Sequence, residues 1–580
     1  MKKGLITVGV LMYLGIILAG CSGRRGVVEI RVVATTDVHG RIFDKDLLDG
    51  TERKGSLAKV ATLLKNERKQ NKNVIYLDAG DILQGSVEVY QDVTSQYYRK
   101  SLPAQAYGYL GCSAMALGNH DLAVGALSYE RYFSDSNYPT MGANVCFYRY
   151  GDYVWPYTII EKDGVNISVI GLTTPVVNYT IPKDRMNELE ARDVVDAARH
   201  YVEDLRERCD VVIGLFHSGY DGGRVFNDSV YENFTRAIVD KVPGFDLIVF
   251  GHDHRPYCGK VPLADGDSIL LMNAGPYAMK VAAVTLTVDF SQGGKPKVST
   301  GQGELIDVTA LQPDAGFMKA VSGWYDDVSH YADSLIGRLS VPLESNGALW
   351  RPTSTLDYIH ETQLGFFGAQ ISLAAPVSTR TLFPAGDFRI RDAFSLYQFD
   401  NNMVSVMLKG SEVKNILEYS ADMYFEDLSG KPEHLLKLKA DAENGTVMPQ
   451  APASGFISAA GINYTIDVTK PYGKRVEIKS MSDGSPFDPD RKYRTTINSF
   501  LYSGTESVLI KGSGLDRLEV LSRLNCSSEA DIRYYILTNF ALNKEGGRGV
   551  APRRVCSWKL VPEDVVSGYL AKDTVNFKLK

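Results

Sequence analysis

Five short polar motifs stand directly behind apolar, strand-like runs, and this pattern constrains the fold more than any other feature of the chain. Asp37-Val38-His39 follows Val27–Ala34, Asp78-Ala79-Gly80-Asp81 follows Asn73–Leu77, and Gly118-Asn119-His120-Asp121 follows Ser113–Leu117. His217-Ser218-Gly219 follows Val211–Phe216, and Gly251-His252-Asp253-His254 follows Leu247–Phe250. Ile167–Leu172 and Ile269–Met272 have the same texture, short and apolar with Gly, Asp or Asn at their ends, as buried strands do. Between the runs, Leu57, Val60, Ala61 and Leu64 fall at helical spacing behind Ser56, an N-cap residue, and Ala191 to Arg208 reads as an amphipathic helix. Strand–helix alternation of this kind predicts a layered α/β domain. Ligands of such sheets gather beyond the carboxyl ends of the strands, so five strand ends can converge on one point.

What converges there is metal chemistry. The chain has nine histidines, and His39, His120, His217, His252 and His254 all lie in these motifs. Imidazoles with carboxylates suit divalent ions such as zinc, manganese, cobalt, iron or magnesium, and the absence of any CxxC pair argues against thiolate zinc. An aspartate can bridge two ions. A pair about 3.5–4 Å apart neutralises phosphate oxygens, clamps the attacking and leaving oxygens of a phosphoryl displacement and activates water.

Asp37-x-His39, Gly80-Asp81, Gly118-Asn119-His120-Asp121, His217 and Gly251-His252-x-His254, in this order, resemble the calcineurin-like metallophosphoesterases. The resemblance implies a four-layer α-β-β-α domain with two divalent ions. Asp37, His39, Asp81 and His254 would hold one ion and Asp81, Asn119, His217 and His252 the other, with Asp81 bridging. His120 matches the family's non-ligand histidine, which stabilises the transition state and protonates the leaving oxygen. Asp78 either orients a ligand or only hydrogen-bonds its own turn. Relatives with GNHEFD pair that histidine with the final Asp. Here Ala123 occupies the position, and the adjacent Asp121 is the carboxylate expected to serve instead.

The second half has a different texture. A helical pattern from Asp314 to about Leu343 reads as a connector, Val404–Leu408 as a strand, Gly410 as a turn and Ser411–Tyr424 as a helix. Tyr464–Val468 and Arg494–Ile497 alternate as strands, and polar Glu426–Gln450 reads as an exposed excursion. Ala369–Pro376, Gly461–Thr469, Leu396–Asn401 and Ile497–Phe500 resemble the C-terminal nucleotide-binding domain of the bacterial 5′-nucleotidase and 2′,3′-cyclic-nucleotide 2′-phosphodiesterase family, nearest the cyclic phosphodiesterase/3′-nucleotidase branch. Where 5′-nucleotidases carry a GGGIR-like segment, Ala374-Ala375-Pro376-Val377 stands without the arginine; Arg380, Arg389 and Arg391 are near enough in sequence to compensate. The match makes Phe399 and Phe500 the aromatic pair that sandwiches a nucleobase, with Asn401 and Asn498 as readers of base edges. The expected architecture is a metallophosphoesterase domain at 27–310, a connector helix at 311–344 about which the second domain rotates, and a mixed α/β nucleotidase domain at 345–580.

An address precedes these domains. Met1-Lys2-Lys3, an apolar run to Gly20 and Leu18-Ala19-Gly20-Cys21 read as a secretory signal over 1–20 ending in a lipobox, with Cys21 the lipidated residue. The expectation is an exported lipoprotein of the cell envelope, held to the membrane by its lipid. The six other cysteines read as packing residues or incidental disulfides. With 63 Lys+Arg against 69 Asp+Glu, the net charge of -6 offers no general attraction for a nucleic acid polymer. The leading expectation is a phosphoesterase that opens 2′,3′-cyclic nucleotides to 3′-nucleotides and then frees phosphate. A 5′-nucleotidase or UDP-sugar hydrolase is the alternative, and a surface lipoprotein that binds nucleotides without turnover is a third reading.

Overall fold

The computed structural model describes residues 26–577 apart from 95–98, 148–150, 153, 182–185, 187, 224, 227–229, 265, 431, 441–446 and 504–507. The signal segment and Cys21 lie outside the described residues. The first domain is two sheets face to face. In one, Lys280–Asp289, Val27–Thr35, Val74–Asp78, Ala114–Ala116 and Thr140–Met141 are successive neighbours; in the other, Ser268–Asn273, Leu247–Phe250, Val211–His217 and Val165–Thr173 are. The strands that carry the polar motifs run parallel to one another within each sheet, with Thr35 beside Asp78 and Phe216 beside Phe250, whereas Lys280–Asp289 pairs antiparallel with Val27–Thr35.

Strand alternation builds the layers. Val32, Ala34, Ile75 and Leu77 from one sheet and Ile167, Val169, Ile213 and Val249 from the other form the core between the sheets. Their neighbours of opposite parity, Val33 and Tyr76, face a helix layer containing Leu57–Gln70. Ile170, Leu172, Val212 and Ile248 face Val194–Arg208 on the far side. Fully burying each such aliphatic side chain contributes about 1.5–3 kcal/mol, so the α-β-β-α stack is fixed by period-two alternation in both sheets. Ser56 caps the first helix by accepting from the Lys59 N–H, and Asp193 caps Val194–Arg208. The latter helix starts later than its periodicity predicts because Leu189–Ala191 is a strand.

The connector is not one helix. It comprises Ala315–Ala320 and Ser322–Asp333, broken at Val321, and gives way to the strand Leu335–Leu339, which pairs with Gly386–Arg389. Phe317, Trp324 and Val328 are buried in the first domain's helix-side core. The connector is therefore welded to that domain, and any swivel lies beyond Asp333. Asp333 also engages Arg389 through its carbonyl and Arg391 through its carboxylate.

The second domain centres on a five-stranded sheet in the order Ser458–Ala460, Ile371–Ala374, Lys492–Asn498, Asn402–Lys409, Leu524–Asp531. Gly410 opens the helix Gly410–Tyr424 rather than making a turn; the Glu412 carboxylate accepts from the Lys409 N–H and caps it. The polar stretch after Tyr424 is anchored, not free. Leu428, Leu435 and Leu436 are buried, and Asp573 accepts from the Leu435 N–H. Among the described residues, Cys112, Cys209, Cys258, Cys526 and Cys556 form no disulfide, and all are buried or half-buried. Among the described residues no helix is long and apolar enough to cross a membrane.

Candidate metal centre

The five strand-end loops meet. Main-chain bonds lace them first: the Asp37 N–H donates to Gly80 O, the His39 N–H to Asp81 O, and the Gly251 N–H to Phe216 O. The approach is close enough to require glycine. A Cβ on Gly118 would lie 2.1 Å from Asp81 Oδ1, and one on Gly251 would lie 1.8 Å from Thr36 Oγ1. Asp37, His39, Asp81, His252 and His254 all have positive φ, between 50° and 75°, a conformation that costs side-chain-bearing residues of order 1–3 kcal/mol each. Local propensity does not produce five such turns; the packed sheets beneath hold them.

Two groups of donor atoms result. Asp37, His39 and His254 form one, with His39 Nε2 and His254 Nε2 3.0 Å apart and His254 Nε2 3.4 Å from Asp37 Oδ1. Asp81, His217 and His252 form the other, with His217 Nε2 3.1 Å from Asp81 Oδ2 and 3.0 Å from Asn119 Oδ1. The tautomers are set from behind. His217 Nδ1 donates to Ala79 O at 2.8 Å, and His39 Nδ1 donates to Gln84 O at 2.9 Å, so each turns Nε2 inward, the nitrogen that carries the lone pair when the ring is neutral. Imidazole lone pairs and carboxylate oxygens aimed at one another are what a divalent cation satisfies, so the donor set fits such ions.

The charges in the pocket are correspondingly perturbed. Burial disfavours charge on Asp37, but the bond from His254 and the field of His217 outweigh it and hold the carboxyl down to about 2. Asp81 is also driven well below the usual carboxylate range, against its burial, by His217 and His120. Burial presses His217 towards neutrality, yet Asp81 raises it to about 10; His39, where burial prevails, falls to about 4.

Asp81 occupies the middle. Its Oδ1 accepts from the His120 N–H at 2.8 Å while Oδ2 faces His217. The His120 ring lies edge-on to His39, with centroids 5.4 Å apart. Asp121 does not serve His120. Its buried carboxylate accepts from the N–H groups of Asp81, Ile82, Leu83 and Gly118, which makes it the staple joining two metal-bearing loops. Asp78 plays a similar part in its own loop, accepting from Thr35, Tyr107 and Gly80; its burial raises its pKa to about 7.

Sequence reasoning missed three neighbours. Glu232 Oε1 holds His252 Nε2 at 3.0 Å, Tyr277 lies against the rings of both His39 and His254, and Gln84 Oε1 accepts from His120 Nδ1. None follows an apolar run; only the position of Gln84, three residues past Asp81, could have drawn attention to it.

The second domain reaches this centre. Gln84 Nε2 donates to Asp400 O at 3.4 Å, which sets the Phe399–Asn401 loop against the metal loops. Phe399 and Phe500 are 48% and 57% exposed. Asn401 Nδ2 and Asn498 Nδ2 both donate to the Tyr397 hydroxyl, and Asn498 Oδ1 accepts from the Leu501 N–H, so they brace the two phenylalanine segments together.

A family model described as calcineurin-like phosphoesterase matches residues 30–256, and one described as the 5′-nucleotidase C-terminal domain matches residues 335–510. The chain belongs to the calcineurin-like phosphoesterases that carry a 5′-nucleotidase C-terminal domain. It is thereby a phosphate-ester hydrolase with an α/β architecture in both domains. A Bacillus subtilis protein named trifunctional nucleotide phosphoesterase is 23% identical over 85% of this chain, which spans only 37% of that longer protein. A Haemophilus influenzae protein named 2′,3′-cyclic-nucleotide 2′-phosphodiesterase/3′-nucleotidase is 25% identical over 92% of this chain and 88% of its own length. The crystal structure of a Thermus thermophilus 5′-nucleotidase precursor shares the fold, with a TM-score of 0.57, 21% identity and coverage of 92% of this chain and all of that one.

Proposed function

We propose that this protein is an exported, lipid-tethered nucleotide phosphoesterase that opens 2′,3′-cyclic nucleotides to 3′-nucleotides and then releases phosphate and nucleoside. One observation carries the reading: both donor groups and His120 lie beside the loop that presents Phe399, joined to it through Gln84. The name of the Haemophilus relative supports the cyclic and 3′-nucleotide substrates.

Asp37, His39 and His254 would hold one divalent ion, and Asp81, Asn119, His217 and His252 a second, with Asp81 reaching both. Such a pair, when bound, neutralises the phosphate oxygens and lowers the pKa of the attacking water. Phe399 and Phe500 stack on the base and so set the phosphate at the metal end of the cleft. His120 delivers a proton to the leaving ribose oxygen. In the first reaction the P–O2′ bond breaks and the phosphate stays on O3′; in the second the P–O3′ bond breaks and inorganic phosphate leaves.

Purified protein loaded with Mn²⁺ or Zn²⁺ should convert 2′,3′-cyclic AMP to adenosine and phosphate. His120→Ala should lose about 100-fold or more in kcat with its metal retained. Hydrolysis of 5′-AMP with the cyclic ester untouched would instead assign the chain to 5′-nucleotidase activity. For the tether, Cys21→Ala should move the protein from the membrane to the soluble fraction; an unchanged distribution would refute lipidation at Cys21.

A further inference from the structure

We infer that Gln84 is the positioning residue for His120, and that it makes the orientation of that imidazole depend on docking of the C-terminal domain. The inference rests on the reading of His120 as the group that serves the leaving oxygen. Ala123 offers His120 no partner, and the Asp121 carboxylate is engaged by four main-chain N–H groups. Gln84 Oε1 meets His120 Nδ1 instead.

An amide has a donor end and an acceptor end, and the surroundings decide which faces where. The carbonyl of Asp400 can only accept, so the end of Gln84 that faces it at 3.4 Å must be Nε2. Oε1 is then presented to His120 and can only accept, which fixes the proton on Nδ1 and leaves Nε2 of the imidazole for the reacting group. The main chain beneath is held as well. Gln84 O accepts from His39 Nδ1 at 2.9 Å, and the next residue, Gly85, has φ +123° with room for no Cβ, since one would lie 2.8 Å from His39 Cβ. Gln84 thus has a fixed backbone and a side chain whose sense is chosen from the other domain.

The partner on that side is itself clamped across the boundary. Asp400 Oδ1 accepts from Arg533 Nη1 at 2.6 Å, and the wholly buried Arg533 guanidinium lies 3.9 Å over the Phe394 ring and 5.0 Å from the Tyr90 ring. Tyr90 belongs to Val87–Thr94 of the first domain, just downstream of Gln84, whereas Phe394, Asp400 and Arg533 belong to the second. With the second domain swung away, Gln84 loses its acceptor, the amide can turn over, and Nε2 then faces Nδ1, donor against donor. The same loop presents Phe399. Base capture and orientation of His120 are therefore set by one docking event.

The test uses the metal-loaded full chain with two substrates: a 3′-nucleotide, whose ribose oxygen needs a proton to leave, and p-nitrophenyl phosphate, whose phenolate leaves without one. Gln84→Ala should lower kcat on the nucleotide by about 10- to 100-fold, with metal content unchanged and KM within about threefold, while its rate on the nitrophenyl ester changes by less than about threefold. Gln84→Glu presents an acceptor to Nδ1 whichever way its carboxylate turns, so it should recover most of the nucleotide rate without needing Asp400 to orient it. Equal losses on both substrates would overturn the proposal, as would a Gln84→Ala enzyme matching wild type. A Gln84→Glu enzyme no better than Gln84→Ala would overturn the orienting role, and an Arg533→Met change that lowers the nucleotide rate equally in the wild-type and Gln84→Glu backgrounds would overturn the coupling to the second domain. His120→Ala, assayed in parallel, separates the two readings: if it leaves nucleotide turnover intact, the role given to His120 fails, whereas a large loss there with none in Gln84→Ala refutes only the role given to Gln84.

Discussion

Removing the phenylalanine rings should cost substrate affinity and almost nothing else. Phe399 and Phe500 keep 48% and 57% of their surface exposed. An aromatic side chain has roughly 150–250 Å² to bury, so about half of that, roughly 75–125 Å² per ring, remains for a ligand to cover. At about 25 cal/mol per Å² this is ~2–3 kcal/mol, which agrees with about 1–3 kcal/mol per base for stacking on an aromatic platform. Phe399→Ala or Phe500→Ala should therefore raise KM for a 3′-nucleotide by about 5- to 150-fold. The double variant should fall short of the product of the two, because a base stacked on one face already has part of its surface covered. Rings this exposed leave little cavity behind, so the melting transition should move by less than the equivalent of about 0.5 kcal/mol. Hydrolysis of p-nitrophenyl phosphate, which has no base, is the control and should be unaffected. A nucleotide KM within twofold of wild type, or an equal loss on the baseless ester, would refute the assignment.

Further outcomes follow from the same geometry. Asp81→Asn keeps an acceptor for the His120 N–H but removes the central charge, so the fold should persist while metal content and phosphate release both fall, the latter by at least about 100-fold; metal analysis of the purified variant checks it, and full metal occupancy would contradict it. Buried His360, whose nitrogens meet the hydroxyls of Ser372 and Ser458, is pushed by burial down to about 3. As pH falls through the ordinary histidine value the unfolded chain takes a proton that the fold refuses, so stability present above about 6.5 should drop by about 2 kcal/mol by pH 5. Denaturation of wild type and His360→Gln at both pH values should show that component only in the wild type. Arg533→Met leaves Asp400 without its cation and should cost about 3 kcal/mol in chemical denaturation; adding Asp400→Asn should return part of it, and strictly additive losses would show the pair to be uncoupled.

Much of the architecture was legible because burial leaves a periodic mark. Every strand expected in the first domain is present within two residues, since Val, Ile and Leu at alternate positions admit little else between two packed sheets. The connector was misjudged for a physical reason. Helical periodicity continues past Val321 and up to Asp333, but the pairing of Leu335–Leu339 with Gly386–Arg389 ends the helix, and a partner strand fifty residues away has no local signature. Likewise, Leu435 and Leu436 look like isolated apolar residues in a polar stretch; their burial depends on Asp573 and on a core assembled from distant segments.

The candidate site divides along a similar line. Donor atoms for a cation must come from particular side chains, so Asp37, His39, Asp81, Asn119, His217, His252 and His254 carry their chemistry in their residue types. What orients them is largely main chain: Ala79 O behind His217, Gln84 O behind His39, the His120 N–H on Asp81. Any residue type except proline supplies an N–H, and every residue supplies a carbonyl, so no letter marks those positions. The exceptions are glycines, where a side chain would collide, and Asp121, whose letter was visible but whose task was not. Expected to tune His120, it instead accepts four N–H groups from two loops, as an anion can when main-chain dipoles converge on it. That leaves the imidazole to a neutral amide governed by the other domain. A carboxylate partner would hold the histidine proton whatever the domains did, whereas an amide presents its acceptor end only while Asp400 engages its donor end. The substitution that looked like a defect at Ala123 therefore removes a permanent anchor and leaves a conditional one.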